Sequence, residues 1–390
     1  MDTLPQRLSA TFTDFFNAEQ SGGILLIACT VLAIAMTNSP IGQEYLRFWQ
    51  MPLGDMSIEH WINDALMAIF FLLIGLELER ELYVGELSSM RNALLPIVAA
   101  VGGMFIPALI HFSLNAGTSA QAGFGIPMAT DIAFAIGVMA ILGNRVPASL
   151  KVFVVAFAVI DDLGAIVIIA AFYTAKLSVW YLLGALAVWV LLGALNHFFR
   201  VMTLIPYLLG GALMWFLMMK SGVHATVAGV MLAFAIPFTS RDEYVQSPSH
   251  RLEHFLHKPV AFIILPLFAL ANTGILIEAN WMRDLAGMNS LGIVAGLVAG
   301  KPLGVALFCF AAVAAGFCRL PSDLNWSHMV GAGMLGGIGF TMSIFIANLA
   351  FPENPAAINA SKMAILLASL IAGALGYLWL RLLCKPATVL

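Results

Sequence analysis

The sequence is poor in charge. Of its 390 residues only 10% are Asp, Glu, Lys or Arg, while 61% are apolar; a soluble domain averages about 25% charged. With a mean hydropathy of +0.95, the chain reads as an integral membrane protein surrounded by lipid. The net charge of −3 is too small to point to nucleic acid or another polyanion. Cysteine is scarce as well. Cys29, Cys309, Cys318 and Cys384 lie in or beside apolar runs, without paired spacing or nearby histidines, which argues against a disulfide framework or a zinc site. Alternating segments of about ten residues are absent, so a membrane β-barrel is not expected. There is no P-loop and no room for an ATPase domain. Any transport would draw on a gradient, and no cofactor is implied. The first 20 residues, "MDTLPQRLSATFTDFFNAEQ", lack the basic start and short apolar core of a cleavable signal, so the first apolar run is expected to remain as a span.

What the chain has is long apolar runs. A helix needs about 20 apolar residues to cross the hydrocarbon. Cutting at polar and Gly/Pro-rich breaks predicts twelve spans, near 21–37, 58–84, 92–115, 122–143, 150–174, 180–199, 204–219, 223–238, 259–276, 290–315, 327–351 and 363–381. The seventh and eighth are short and share a tight "KSG" turn. An even number puts both termini on one side. Arg7, Arg80, Arg91, Arg145, Lys151, Arg200, Arg241, Arg251, Lys258, Arg319, Arg381 and Lys385 fall on that side, twelve in all. Five fall opposite: Arg47, Lys176, Lys220, Arg283 and Lys362. The positive-inside bias then predicts cytoplasmic termini. The longer connections are 39–57 and 277–289 outside and 239–258 inside.

The remaining basic residue, Lys301, lies mid-span in "GIVAGLVAGKPLGVALFCF". Asp161 and Asp162 sit side by side in the apolar run "VFVVAFAVIDDLGAIVIIAAFY", Asp131 follows Thr130 in "GIPMATDIAFAIG", and Asp64 lies in the second span. Each charge at the bilayer centre costs roughly 2.5–3.5 kcal/mol even on lenient scales. Hydrogen-bonded packing would account for one such residue. Three acids and a lysine at similar depth can pair only around a shared cavity, which marks a functional site. Gly125, Pro127 and Gly137 bracket the Thr-Asp pair; Pro127 removes a backbone donor, and the glycines permit an unwound turn. The eleventh span has "GMLGGIGFTMSIFIA", with Gly333, Gly336, Gly337 and Gly339 ahead of Thr341 and Ser343. Interrupted spans in corresponding places of two halves point to inverted repeats with broken helices. Close packing explains the glycines but not Asp131. Facing half-helix N-termini are partly positive and C-termini partly negative; Asp131 can offset the first and Lys301 the second.

The motifs "ATDIAFAIG", "VIDDLGAI", "GLELEREL", "KSGVHATVAG", "RLEHFLH", "GKPLG" and "GIGFTMSIFIA" together resemble the NhaA family of bacterial sodium/proton antiporters. They run in the family's order over 60–350, and the whole length fits. The resemblance implies an all-α polytopic membrane protein of about twelve helices with inverted-topology repeats, its fourth and eleventh spans discontinuous and crossing at mid-membrane. It implies one transporter domain, 1–390, with a core bundle near 92–174 and 290–381 and a dimer-forming bundle near 21–84 and 204–276. It further implies a non-enzymatic homodimer of the bacterial inner membrane, which exchanges Na⁺ or Li⁺ for protons electrogenically under pH control. By motif, Asp161 and Asp162 match the Na⁺-binding pair, Thr130 and Asp131 the residues at the break, and Lys301 the core lysine. Gly125, Pro127, Gly337 and Gly339 belong to the helix breaks. Glu77, Arg80 and Glu81, with Glu253, His254 and His257, match a cytoplasmic pH-response region and cation funnel. Glu79 departs from the family, where a basic residue stands, and makes that mouth more acidic. The loop 39–57, with "FWQMPLGDM", and the second span match the dimer contact.

Sodium is a hard cation that takes oxygen ligands; Asp161, Asp162, Asp131 and Thr130, with freed backbone carbonyls and water, are the expected ones, and carboxylates bind protons as well as cations. A site that holds one or the other, and alternates between two sides, couples their fluxes. Two other classes bury carboxylates. An intramembrane aspartyl protease needs two aspartates on facing helices sharing a proton; Asp131 and Asp162 fit, but Asp161, Lys301 and the broken helices are left without a role. A passive cation channel has no need of discrete protonatable ligands. Helix neighbours point about 100° apart, so Asp162, supported by the resemblance, is the expected direct ligand, with Asp161 turned toward the tenth span and Lys301. Lys301 has two readings: a fixed countercharge, or a partner of Asp161 that gives up a proton when sodium displaces it. His254 and His257, with Arg251, are expected on one face of a helix, with Glu253 pointing elsewhere. They suit pH sensing or a solvated loop, and lack a third ligand for a metal. His224 reads as a span-end packing histidine.

Overall fold

The computed structural model describes residues 4–174, 177–239, 247–279 and 281–383, without the side chains of residues 4–20, Glu86, Arg91 and Asn144. Lys176, Arg241, Cys384 and Lys385 from the readings above lie outside the described residues. Among the described residues, seven helices are long and apolar enough to cross a membrane: Ile58–Tyr83, Asn92–Asn115, Ala148–Phe172, Val179–His197, Pro248–Asn272, Met288–Ala314 and Pro355–Leu383. Three bent pairs raise the number to ten. Ser21–Thr37 with Gly42–Trp49 turns by 119°, Ser119–Met128 with Ile132–Leu142 by 41°, and Trp326–Gly336 with Phe340–Ala350 by 48°. The first is a span followed by a surface helix that carries Gln43, Glu44 and Arg47. The other two are breaks inside the fourth and eleventh spans. The protein is therefore a polytopic all-α membrane protein; its described strands are the two-residue pair Pro52–Leu53 and Met56–Ser57.

The expected seventh and eighth spans are where the count is weakest. Ile205–Ser221 is shorter than the others and ends at Gly222, whose φ of +84° suits glycine. The eighth is only the seven-residue helix Val227–Ala233, too short to cross. It is pressed against the second span, where an added Cβ on Gly75 would collide with the Ala233 methyl. The ninth span begins well before residue 259. Ser247 accepts from the His250 N–H at 3.2 Å and Pro248 takes the first helical position, a favourable start. "RLEHFLH" is thus helix rather than loop.

Two spans change pitch just ahead of a proline. π turns occupy Val260–Ile264 before Pro266 and Gly296–Gly300 before Pro302. Proline lacks the N–H for its i−4 carbonyl and crowds it, and a π turn relieves both. The second of these turns sets the start of the Lys301 segment. The third and tenth spans meet backbone to backbone at Gly102 and Gly304: a Cβ on either would strike the other's carbonyl oxygen. This crossing presses the two halves of the chain together around the broken helices.

Candidate ion-binding site

The breaks are Ala129–Asp131 in the fourth span and Gly337–Gly339 in the eleventh. The first falls two residues beyond Pro127 rather than at Gly125 or Pro127, which lie within the 3₁₀ half-helix Ser119–Met128. The break glycines keep negative φ, so they do not serve to open a left-handed turn. Close approach is their use: a Cβ on Gly337 would run into the Leu297 carbonyl. The two breaks satisfy each other's backbone. The Asp131 N–H donates to the Ile338 carbonyl at 2.6 Å. The Thr130 hydroxyl donates to the Gly336 carbonyl at 2.8 Å and the Ser343 hydroxyl to the Ile126 carbonyl at 2.7 Å.

Asp131 caps two half-helices at once. One oxygen accepts from the Phe134 N–H at 3.2 Å, the other from the Thr341 N–H at 3.1 Å and from the Thr341 hydroxyl. Both N-termini thus face one carboxylate, as their dipoles require. Lys301 serves the opposite polarity. Its ammonium donates to the Met128 carbonyl, which closes the first half of the fourth span. It also pairs with Asp161 at 2.6 Å and stands 5.5 Å from the centre of the Phe157 ring.

Asp161 and Asp162 are 0% and 1% exposed, on the unbroken helix Ala148–Phe172. They diverge. Asp161 turns to Lys301. Asp162 lines a cavity of about 30 Å³ with Thr130, Asp131, Thr341, Phe70 and Glu77, room for one or two water-sized groups. One oxygen of each, Oδ1, has no protein partner. Asp131 faces the same cavity, but its oxygens are taken by the helix ends. No three His, Cys, Asp or Glu side chains among the described residues converge as a metal cage. A cation at Asp162 would therefore complete its shell from hydroxyl and carbonyl oxygens and water.

Toward the termini side the cavity reaches Glu77, and a second cluster begins. Arg80 pairs with Glu253 at 2.6 Å and with Glu81 at 3.1 Å. His257 lies 3.6 Å from Glu77 and 3.7 Å from Glu253. His250 approaches Glu253 at 3.7 Å. The expected placement of this helix is corrected here: Glu253 does not point elsewhere but shares a stripe with His250 and His257, at i, i+3 and i+7. His254 and Arg251 are exposed. Glu79 is buried and accepts from the Ser249 hydroxyl at 2.8 Å, so it braces the second and ninth spans rather than lining the mouth.

The sequence profile of the family described as Na⁺/H⁺ antiporter 1 matches residues 13–380. The chain is 68% identical to the Na(+)/H(+) antiporter NhaA of Dechloromonas aromatica (strain RCB), covering 96% of both chains. It is 58% identical to the Na(+)/H(+) antiporter NhaA 1 of Flavobacterium johnsoniae, over 96% of this chain and 97% of the relative. With the Na(+)/H(+) antiporter NhaA of Cytophaga hutchinsonii it shares 55% identity over 97% of each. The chain belongs to the Na⁺/H⁺ antiporter 1 family. It is a multi-pass membrane transporter and not an enzyme.

Other residues of this antiporter fall away from the expected cluster or were not anticipated. Asp64 is not deep with the rest: it sits near the start of the second span, at the end away from the termini, 3.2 Å from His60. His224 contacts the Tyr173 carbonyl at 2.9 Å. The Ser369 hydroxyl accepts from the Phe340 N–H at 3.1 Å, capping the second half of the eleventh span. It is a lone serine in "ILLASLIAG", a weak signal. His250 was legible only as the third member of the spacing with Glu253 and His257. Asn63, Asn272 and Asn348 meet in one hydrogen-bonded group. A single asparagine in each of three runs gives no hint of that.

Proposed function

We propose that this antiporter exports Na⁺ or Li⁺ in electrogenic, pH-regulated exchange for protons across the bacterial inner membrane, with cytoplasmic termini and by alternating access. The observation that supports it most is Asp162: a carboxylate almost wholly removed from water, with one oxygen unpartnered, in a small cavity shared with two threonines. A charge in that position must be neutralised by a proton or by a cation. The two compete, and that competition is the coupling.

Asp161 with Lys301 is the second charge system. Whether Lys301 stays charged as a countercharge or releases a proton as Asp161 takes part, the 2.6 Å pair is where the second proton is handled. Arg80, Glu81, Glu77, Glu253 and His257, joined by His250, form the pH-responsive mouth. The protease reading is disfavoured because Asp131 is committed to two helix ends and cannot share a proton with Asp162. A homodimer through the loop 39–57 is part of the proposal: Phe48, Met51 and Leu53 there are each about half exposed or more, at 49%, 54% and 61%.

The test is Na⁺ binding by calorimetry beside Na⁺-driven proton flux in proteoliposomes for Asp162→Asn. Both should vanish. Normal sodium binding by that variant would remove the core of the reading. Crosslinking in lipid that yields only monomer would remove the dimer.

A further inference from the structure

The Asp162 cavity extends to Glu77 on the termini side, and on the opposite side it is backed by packed layers. Three helices contribute in step. On the eleventh span Thr341, Phe345 and Asn348 follow one another at i, i+4 and i+7. On the second, Ile74, Phe71 and Asn63 run in the same direction away from the site, and on the ninth Leu265, Phe268 and Asn272. Thr341, Ile74 and Leu265 line the Asp162 cavity. Phe345 then packs on Phe71 at 5.7 Å and on Phe268 at 6.3 Å between ring centres. Beyond the rings, the three asparagines close on one another. Asn348 donates to the Asn272 side-chain oxygen Oδ1 at 2.6 Å and Asn63 donates to the same oxygen at 3.0 Å. Asn272 returns a bond to Asn63 at 2.8 Å and reaches the Phe268 carbonyl at 3.0 Å. Seven residues of helix separate Thr341 from Asn348, about 10 Å.

We infer that Asn63, Asn272 and Asn348 are the latch that holds the antiporter shut on the face away from its termini, and that it must part once in every transport cycle. This rests on Asp162 as the ion site. The phenylalanine layer excludes water, but ring contacts have no single matched partner and can slide. The asparagine layer is directional. Asn348 belongs to the broken eleventh span, and Asn63 and Asn272 belong to the second and ninth, which do not carry the Asp161–Lys301 pair. Amide groups fit a latch that must reopen: unlike an ion pair they leave no net charge when they part, so water can replace each bond at little net cost. A second contact lies on the same side. Asn359 of the twelfth span exchanges two hydrogen bonds with Leu276, just past the ninth, at 2.9 and 3.1 Å. Asn63 itself sits in a π turn, Ile62–Leu66, which aims its side chain across the interface.

The test separates the two faces. In proteoliposomes of known orientation, half-saturating Na⁺ is measured from each side for Asn348→Ala and Asn272→Ala. Weakening the latch raises the population open to the latch face, so half-saturation there should fall roughly three- to tenfold. On the termini face it should stay or rise. A change of the same sign and size on both faces, or none, overturns the proposal. Should these variants fail to fold, Asn272→Cys with Asn348→Cys decides, with Cys29, Cys309, Cys318 and Cys384 replaced by Ser. Bridged by a short bis-thiosulfonate, which forms a disulfide to each cysteine and releases sulfinate, that protein should still bind ²²Na⁺ from the termini face yet cease to exchange, and reduction should restore exchange. Exchange at the unbridged rate while bridged sinks the latch. Asp162→Asn run alongside keeps the two readings apart: if it still binds Na⁺ the site assignment fails, whatever the asparagines do.

Discussion

Lys301 and Asp161 show how a buried charge is made tolerable. Neither is exposed, and each is the other's counterion at 2.6 Å. Removing one partner strands the other. Lys301→Ala should cost about 3–5 kcal/mol, while Lys301→Met with Asp161→Asn, which leaves no net charge, should recover most of it; thermal unfolding in detergent reads the difference. If the double variant melts as low as the single one, the pair is not the reason both residues are charged. At the mouth, the stripe of His250, Glu253 and His257 makes a second residue-scale prediction. His250→Ala and His257→Ala should each displace the pH of half-maximal Na⁺-driven flux by roughly half a unit or more, since each removes a titratable neighbour of Glu253. His254→Ala should leave it in place. A shift with His254→Ala as large as with His257→Ala would contradict the stripe.

Among elements, the broken spans depend on Asp131. It supplies the caps of two half-helices, each worth about 1 kcal/mol or more, together with the charge their dipoles favour. Asp131→Ala should lower the melting temperature clearly. Asp131→Asn keeps an acceptor and should lower it less, with sodium affinity reduced far less than in Asp162→Asn. Loss of sodium binding by Asp131→Asn without loss of stability would make Asp131 a ligand after all. The existence of these elements was legible in the sequence, because a bilayer permits only helices or closed barrels and costly residues stand out against an apolar background. The break falls at Thr130 and Asp131, as their motif implied, while Gly125 and Pro127 lie ahead of it in the 3₁₀ half-helix. Its position depends on Thr130 and Asp131 bonding to Gly336, Ile338 and Thr341, more than 200 residues away, and no local pattern encodes such a contact. Likewise Glu79 and Glu253 looked like mouth charges of one kind. Only the packing of the ninth span on the second shows that one bonds Ser249 and the other holds Arg80.

For the whole molecule the decisive quantity is how much charge crosses per cycle. In the proposed cycle Asp162 exchanges one proton for one cation. If the Asp161–Lys301 pair handles a second proton, two protons enter for each Na⁺ that leaves and one positive charge moves inward. Both readings of Lys301 give that count, so it tests the pair and not the choice between them. At zero membrane potential, exchange stops when the Na⁺ ratio equals the square of the proton ratio. One pH unit then holds about a 100-fold Na⁺ gradient, against about tenfold for one-for-one exchange. An inside-negative potential drives the two-proton cycle and leaves a one-proton cycle unaffected. On a solid-supported membrane the antiporter should give a current on Na⁺ addition, with the sign of net positive charge moving against sodium. Asp161→Asn should lose that current while Na⁺ and H⁺ still exchange, because only the Asp162 proton remains. A wild-type protein that exchanges without current would rule out the second proton, and the paired charges would then be a brace for the broken helices rather than part of the coupling.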